Sequence, residues 1–170
     1  GTVSDGTPSG EAAGGVAYQA VDPLTAVRAV PPIHISIPDA GLDAAVEPMG
    51  WTVIEEGGQR TTQWLVPESS AGWHVNSAGA GAEGNMILSG HQVQGDAVFV
   101  PLSLGDVAVG QQVLVEDEEG VVFVYGIVDV SDPIAVASAS AEEEATALAY
   151  VGPGQGALLT LITGWPDFTT

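Results

Sequence analysis

Residues 156–165 read GALLTLITGW, an apolar run interrupted only by two threonines and bounded by glycines. A run this short, rich in branched side chains, predicts a buried central strand. Just upstream, SAEEEATALAY (140–150) is the one helix the sequence predicts. Ser140 stands at its N-cap, and Glu142, Glu143 and Glu144 occupy the first turn, where the helix dipole favours negative charge. Val-Gly-Pro-Gly (151–154) ends it. QQVLVEDEEGVVFVYGIVDV (111–130) is the plainest hairpin, two valine-rich strands around an acidic turn from Glu116 to Gly120. NMILSGH (85–91) is a nearly continuous apolar run that ends in a Gly-His pair. Further back, TTQWLVP (61–67), DAAVEPMG (43–50) and HISIP (34–38) read as strands, with turns at Glu56-Gly57-Gly58 and Asp39-Ala40-Gly41. There is no internal repeat. Many short strands with one helix predict a mainly β, closed or partly closed barrel.

The chain has 170 residues, the size of one domain, and 22 acidic residues against two basic ones, for a net charge of −20. The two cations are Arg28 and Arg60, and there is no lysine. Such a surface cannot neutralise phosphates, which excludes nucleic acid as a partner and an anionic bilayer as a docking surface. The absence of cysteine excludes disulfides, thiolate metal sites and a cysteine nucleophile. No apolar run reaches the roughly 18 residues of a membrane-spanning helix. The chain begins with glycine, without a basic and apolar signal segment, so a processed, exported protein at an extracellular or cell-surface location is expected.

Residues 1–31 form a separate leader. Positions 1–15 are Gly/Ser/Thr/Ala-rich and supply no core. GVAYQAV (15–21) and LTAVRAV (24–30) follow, split by Asp22-Pro23 and closed by Pro31-Pro32. Both are strand-like, yet neither has local company for a sheet. Residues 32–170 form the predicted barrel domain.

Three stretches in order carry a resemblance. WLVPESSAGWHVNSAGAGAEGNMILSGHQ (64–92), VFVPLSLGDVAVGQQVLV (98–115) and LLTLITG (158–164) resemble the active-site framework of the sortases, the cysteine transpeptidases of bacterial surfaces. The resemblance covers about residues 32–165 and implies an eight-stranded sortase-like β-barrel. It places His91 at the catalytic histidine and Gly164 at the nucleophilic cysteine, in register with Thr160, Leu161 and Thr163 of a TLxTC-like signature. Glycine has no side chain with which to attack. The resemblance also implies an arginine on a strand after the cysteine. No arginine follows Arg60, and the sequence ends at Thr170. His91 and Gly164 are therefore read as relic positions with no catalytic role expected.

A barrel one strand short leaves an edge that another strand can pair. The expected donor is the leader, through Val16, Tyr18, Ala20, Leu24, Ala26, Val27, Arg28 and Val30. The expected acceptor edge is Leu159, Leu161, Thr163 and Trp165. Folded back onto its own barrel, the leader would leave the protein a monomer; donation to a neighbour is donor-strand complementation, a head-to-tail contact that propagates as a non-covalent homopolymer. Without lysine, isopeptide cross-links are excluded. The function expected is thus a non-catalytic, extracellular, sortase-like filament subunit. The alternatives are a Cys→Gly-inactivated transpeptidase or a peptide-binding pseudo-sortase module.

Other polar residues read as structural. His34 and His74 form no ligand spacing, so no metal and no cofactor is expected. The run Glu116-Asp117-Glu118-Glu119 lacks the alternation of a calcium loop and reads as a solvated turn. Trp51, Trp64, Trp73 and Trp165 read as core or slot-lining residues. Arg28 is read as a charge partner for a carboxylate, or as a stand-in for the family arginine.

Overall fold

The computed structural model describes residues 30–93, 96–134 and 138–164. Strand β1 (Pro32–Ile37) buries Ile35 and Ile37 and turns His34 and Ser36 outward, as its alternation requires. A single 3-10 turn at Pro38–Ala40 ends at Gly41 with φ 66°, a left-handed position that glycine adopts without a Cβ penalty. The chain returns as β2 (Leu42–Met49), antiparallel to β1, with Leu42, Ala44 and Val46 inward. Next, β3 (Trp51–Glu56) and β4 (Gln59–Trp64) pair, among the described residues, only with each other around Gly57 and Gly58. Strand β5 (Ala71–His74) lies parallel to β2 and antiparallel to β6 (Gly84–Gly90). A short helix α1 (Val100–Leu104) precedes β7 (Gln112–Asp117) and β8 (Val122–Gly126), the acidic hairpin. Helix α2 (Ala141–Val151) leads into β9 (Ala157–Thr163), which runs parallel to β6. No helix among the described residues is long and apolar enough to cross a membrane.

The result is mainly β: a nearly closed, barrel-like sheet of seven strands in the order β8-β7-β1-β2-β5-β6-β9. The registers give it two ends. Strands β6, β8 and β9 all start at one end, the floor, where β1 also begins; they finish at the other, the rim. Ile35, Ile37, Val115, Met86, Leu88 and Phe99 are fully buried at the centre. Removing such side chains from water is worth about 1.5–3 kcal/mol each.

Several expectations need correction. Residues 157–163 are less buried than expected: among the described residues β9 pairs with β6 alone, and its side chains are mostly half-buried. Trp51 is 50% exposed rather than a core residue, because the β3–β4 hairpin stands apart from the sheet. Asp117 is not solvated; it is 2% exposed, and its Oδ1 accepts hydrogen bonds from the Glu119 and Val121 amides, tying the β7–β8 turn. Strand β5 and helix α1 were not predicted as elements; β5 lies hidden in a four-residue stretch, AGWH, too short for a period to show.

Candidate functional site at the rim

The parallel ladder between β6 and β9 runs in unbroken register from Gly84↔Ala157 to Gly90↔Thr163. The residues that follow, His91 and Gly164, therefore leave the rim side by side. Thr163 Oγ1 donates to the Gly90 carbonyl at 3.0 Å, fastening the two strand ends. Gly90 has a second duty. A Cβ there would lie 2.7 Å from Cγ of Phe99, so only glycine lets that buried ring close over the strand end. The Phe99 amide donates to the His91 carbonyl at 3.0 Å, which pins both ends of the loop after β6.

The imidazole of His91 is half-buried, with Nε2 3.3 Å from the Val66 carbonyl of the segment that crosses outside β5. Beside it, a Cβ on Gly164 would come 3.3 Å from Nε2 of Gln92, so the Gln92 amide stands next to the space where a nucleophile's side chain would project. Gln92 Oε1 is buried without a hydrogen-bond partner among the described residues. Nothing in the spelling of residues 85–92 marks Gln92 for this place. The rim thus offers a histidine beside a strand end whose last described residue, Gly164, has no side chain, and Thr163, the adjacent hydroxyl, spends its proton on Gly90. Of the two arginines, Arg60 sits on β4 opposite Glu55 in the separate hairpin, and Arg28 lies outside the described residues. Among the described residues no cluster of three potential metal ligands occurs.

Two other motif residues serve the scaffold. Asn85 Nδ2 donates to the Tyr150 and Gly152 carbonyls at 2.7 and 3.1 Å, and Thr160 Oγ1 lies 2.9 Å from Asn85 Oδ1 and 2.8 Å from the Tyr150 carbonyl. Together they clamp the end of α2 onto β6 and β9. Beneath the Trp64–Val66 segment, His74 Nε2 and Ser89 Oγ share a 2.7 Å hydrogen bond, and the Trp64 ring lies over His74 with centroids 4.2 Å apart. Burial holds the His74 pKa below the usual imidazole range, because the charged form is desolvated there. His34 is exposed, with Nε2 3.0 Å from Asp43.

The second feature is an open slot. Leu159 and Leu161 of β9, and Phe123, Tyr125 and Ile127 on and after β8, pack against the core yet are only half-buried. Neither β8 nor β9 has a partner on its outer edge among the described residues. The Tyr125 hydroxyl accepts the Gly81 amide at 2.8 Å, bracing β8 against the floor. Of the proposed donor residues, Val30 is buried at the floor, its carbonyl accepting the Ala80 amide at 3.1 Å. Val16, Tyr18, Ala20, Leu24, Ala26, Val27 and Arg28, and Trp165 of the acceptor edge, lie outside the described residues.

Comparison with known proteins agrees with this geometry. The family model described as "Sortase domain" matches residues 35–170. Among solved structures, a sortase D5 transpeptidase of Clostridium perfringens superposes with a TM-score of 0.52 at 18% identity, covering 78% of this chain and 69% of its own. Sortase C1 of Streptococcus agalactiae, solved in complex with MTSET, gives 0.50 at 19% identity, covering 81% of this chain and 60% of its own. No curated protein sequence matches the chain. The family match takes in all but the first three residues of the described barrel, with both rim strands, and the chain belongs to the sortase family.

Proposed function

We propose that this protein is a non-catalytic, extracellular member of the family: a structural subunit that polymerises head to tail when one molecule's leader strand enters the open slot of the next. The observation that carries the reading is the pair of edges, β9 and β8, that have no outer partner among the described residues and whose inward residues are half-covered while those of the inner strands are fully buried. An extended segment between them would satisfy two rows of backbone groups and bury apolar surface, which is the logic of strand addition. Gly164 supports the non-catalytic half, because covalent catalysis on an acyl group needs a nucleophile and this position supplies none.

The test is the mass of the purified chain as its concentration is raised, by light scattering and negative-stain microscopy, with and without residues 1–29. Filaments are expected from the full chain and not from the truncated one. Discrete monomers of the full chain at every concentration would remove the assembly reading. A second reading rests on the retention of His91 beside position 164: a transpeptidase silenced by loss of its thiol, still able to hold a peptide. Gly164→Cys that cleaves a sorting-signal peptide would establish it; an inert but folded variant is the expected result.

A further inference from the structure

We infer that the β3–β4 hairpin and the strap behind it, residues 64–67, form an acid-released cover. Protonation of His74 frees the cover from the outer face of β5, and the strap's hold on His91 is lost with it. The inference is independent of the assembly reading.

The cover lies over a second, smaller packed layer on the outside of the sheet. Alternation turns Ala71 and Trp73 of β5 into the barrel and leaves Gly72 and His74 on the other face. Met49, at the end of β2, is 1% exposed yet does not belong to the barrel core. A Cβ on Gly72 would lie 2.7 Å from the Met49 sulfur and 2.8 Å from Cδ of Pro67, so glycine lets the strap lie flat on β5. The Trp64 ring covers His74, and Trp51 packs edge-on against Trp64 with centroids 5.4 Å apart. His74 and Ser89, hydrogen-bonded beneath, are both buried. Further along, His91 Nε2 donates to the Val66 carbonyl and ties the strap to the rim.

The hairpin is built to move as a unit. Its strands pair, among the described residues, only with each other, and the Leu65 amide donates to the Gly50 carbonyl across its base. Gly50, where the chain leaves β2, has open space around its Cβ position, and residues 68–70 form a bend on the return side. Element ends of this kind absorb a hinge rotation.

Charge sets the direction. Under the cover an imidazolium is desolvated; with the cover lifted it meets water. Burial accordingly holds the His74 pKa below its ordinary value of 6.5. The open form therefore binds more protons below that value, and acid favours it by at most about tenfold per pH unit, since one group titrates. Attraction between an imidazolium and the Trp64 ring acts in the opposite sense. The other ionisable groups on the elements around His74 are Glu47 of β2, Glu68 after the strap, and His91. Glu47 accepts the Ser70 hydroxyl, Glu68 is exposed, and among the described residues none of the three hydrogen-bonds His74. Glu55, Glu56 and Arg60 sit at the far end of the hairpin ladder.

A thiol beneath the cover reads the equilibrium, with no native cysteine to compete. Met49→Cys and, as a reporter of whole-barrel unfolding, Val115→Cys are alkylated with iodoacetamide between pH 5.5 and 7.5. Each rate is divided by that of the urea-unfolded variant at the same pH. Met49→Cys is expected to react at least about tenfold faster than Val115→Cys, and its corrected rate to rise up to about tenfold from pH 7.5 to 5.5. His74→Gln is expected to remove the rise, and Glu47→Gln and Glu68→Gln to leave it. His91→Ala, which cuts the tie to Val66, is expected to speed labelling at every pH. Equal rates at the two thiols would mean that the cover opens only with the whole barrel. A corrected rate that falls in acid would mean that the Trp64 ring holds the imidazolium, and a rise that survives His74→Gln would assign the response to another group. Any of these three overturns the inference, and an unchanged rate in His91→Ala overturns its link to the rim. Should Met49→Cys fail to fold, fluorine saturation transfer at Trp64 of the chain carrying 5-fluorotryptophan reads the same equilibrium. A single Trp64 state at pH 5.5 would overturn the inference there.

Discussion

Gly90 and Thr163 face each other as the last pair of the β6–β9 ladder, with the threonine hydroxyl bonded to the glycine carbonyl at 3.0 Å. Because this pair is fastened, His91 and Gly164 emerge together, and whatever the rim does depends on Gly90 keeping its place under Phe99.

Gly90→Ala tests that dependence. The new methyl would meet the Phe99 ring at 2.7 Å, and the ring, being fully buried, has little room to retreat. Overpacking of this kind costs about 1–3 kcal/mol. A denaturant midpoint lowered accordingly is expected, with loss of chemical-shift dispersion around His91. An unchanged midpoint would mean that the ring is not held over the strand end.

Gly164→Cys is expected to fold almost as well as the parent, since among the described residues the nearest atoms belong to the flexible Gln92 side chain and φ is not left-handed. Its thiol is expected to alkylate with a midpoint near the ordinary value of about 8.5, because thiolates are stabilised by nearby cations and neither arginine is described beside position 164. A midpoint below about 7 would show that His91 acts as a charged partner and would revive the transpeptidase reading.

Much of this rim was legible in the sequence, and for a physical reason. A Gly-His at the end of one apolar strand and a Thr-Gly at the end of another are punctuation marks, and the strands between them have compositions that fit little else. The β7–β8 hairpin and the Ser140 cap, where Glu143 completes a reciprocal capping box, were readable for the same local reason. What could not be read was set by partners distant in sequence. Residues 157–163 look fully buried because they are almost wholly apolar, and composition does not tell how much of each face is covered. Asp117 looks solvated within a run of acids, yet its carboxylate folds back onto two amides of its own turn. Gln92 gains its position beside Gly164 only through strand register.

His74 gives a pH dependence with a definite sign. Burial lowers its folded pKa below the usual value of 6.5, so in acid the unfolded chain takes up a proton that the folded chain resists. Stability is then constant above about pH 7 and falls as pH drops below 6.5, because the unfolded state binds more protons in that window. His74→Gln, which can keep a hydrogen bond to Ser89, is expected to flatten this part of the curve in urea melts between pH 5 and 8. An unaltered slope would assign the dependence to other groups.

Gly81→Ala addresses the brace on β8. Gly81 has φ 67°, and a Cβ there would penetrate the Phe123 ring at 2.0 Å. Left-handed strain of about 1–2 kcal/mol adds to the overpacking penalty. A marked fall in melting temperature is expected, together with looser packing of β8 seen as faster amide exchange at Phe123 and Tyr125. Protection unchanged at those two residues would mean that the floor does not support the slot.

Assembly is expected to respond to salt in the direction set by a charge of −20. Bringing two such chains into contact opposes like fields, and with only Arg28 and Arg60 there is little attraction to offset them. The screening length shrinks from about 30 Å at 0.01 M salt to about 8 Å at 0.15 M, well inside the diameter of one domain. Raising salt across that range is therefore expected to lower the protein concentration needed for filaments by about tenfold, as followed by light scattering. Apolar strand insertion is not weakened by the same change. Filaments that dissolve as salt is added would instead show that a few arginine–carboxylate pairs hold the subunits together, and burial of the leader strand would no longer account for the polymer.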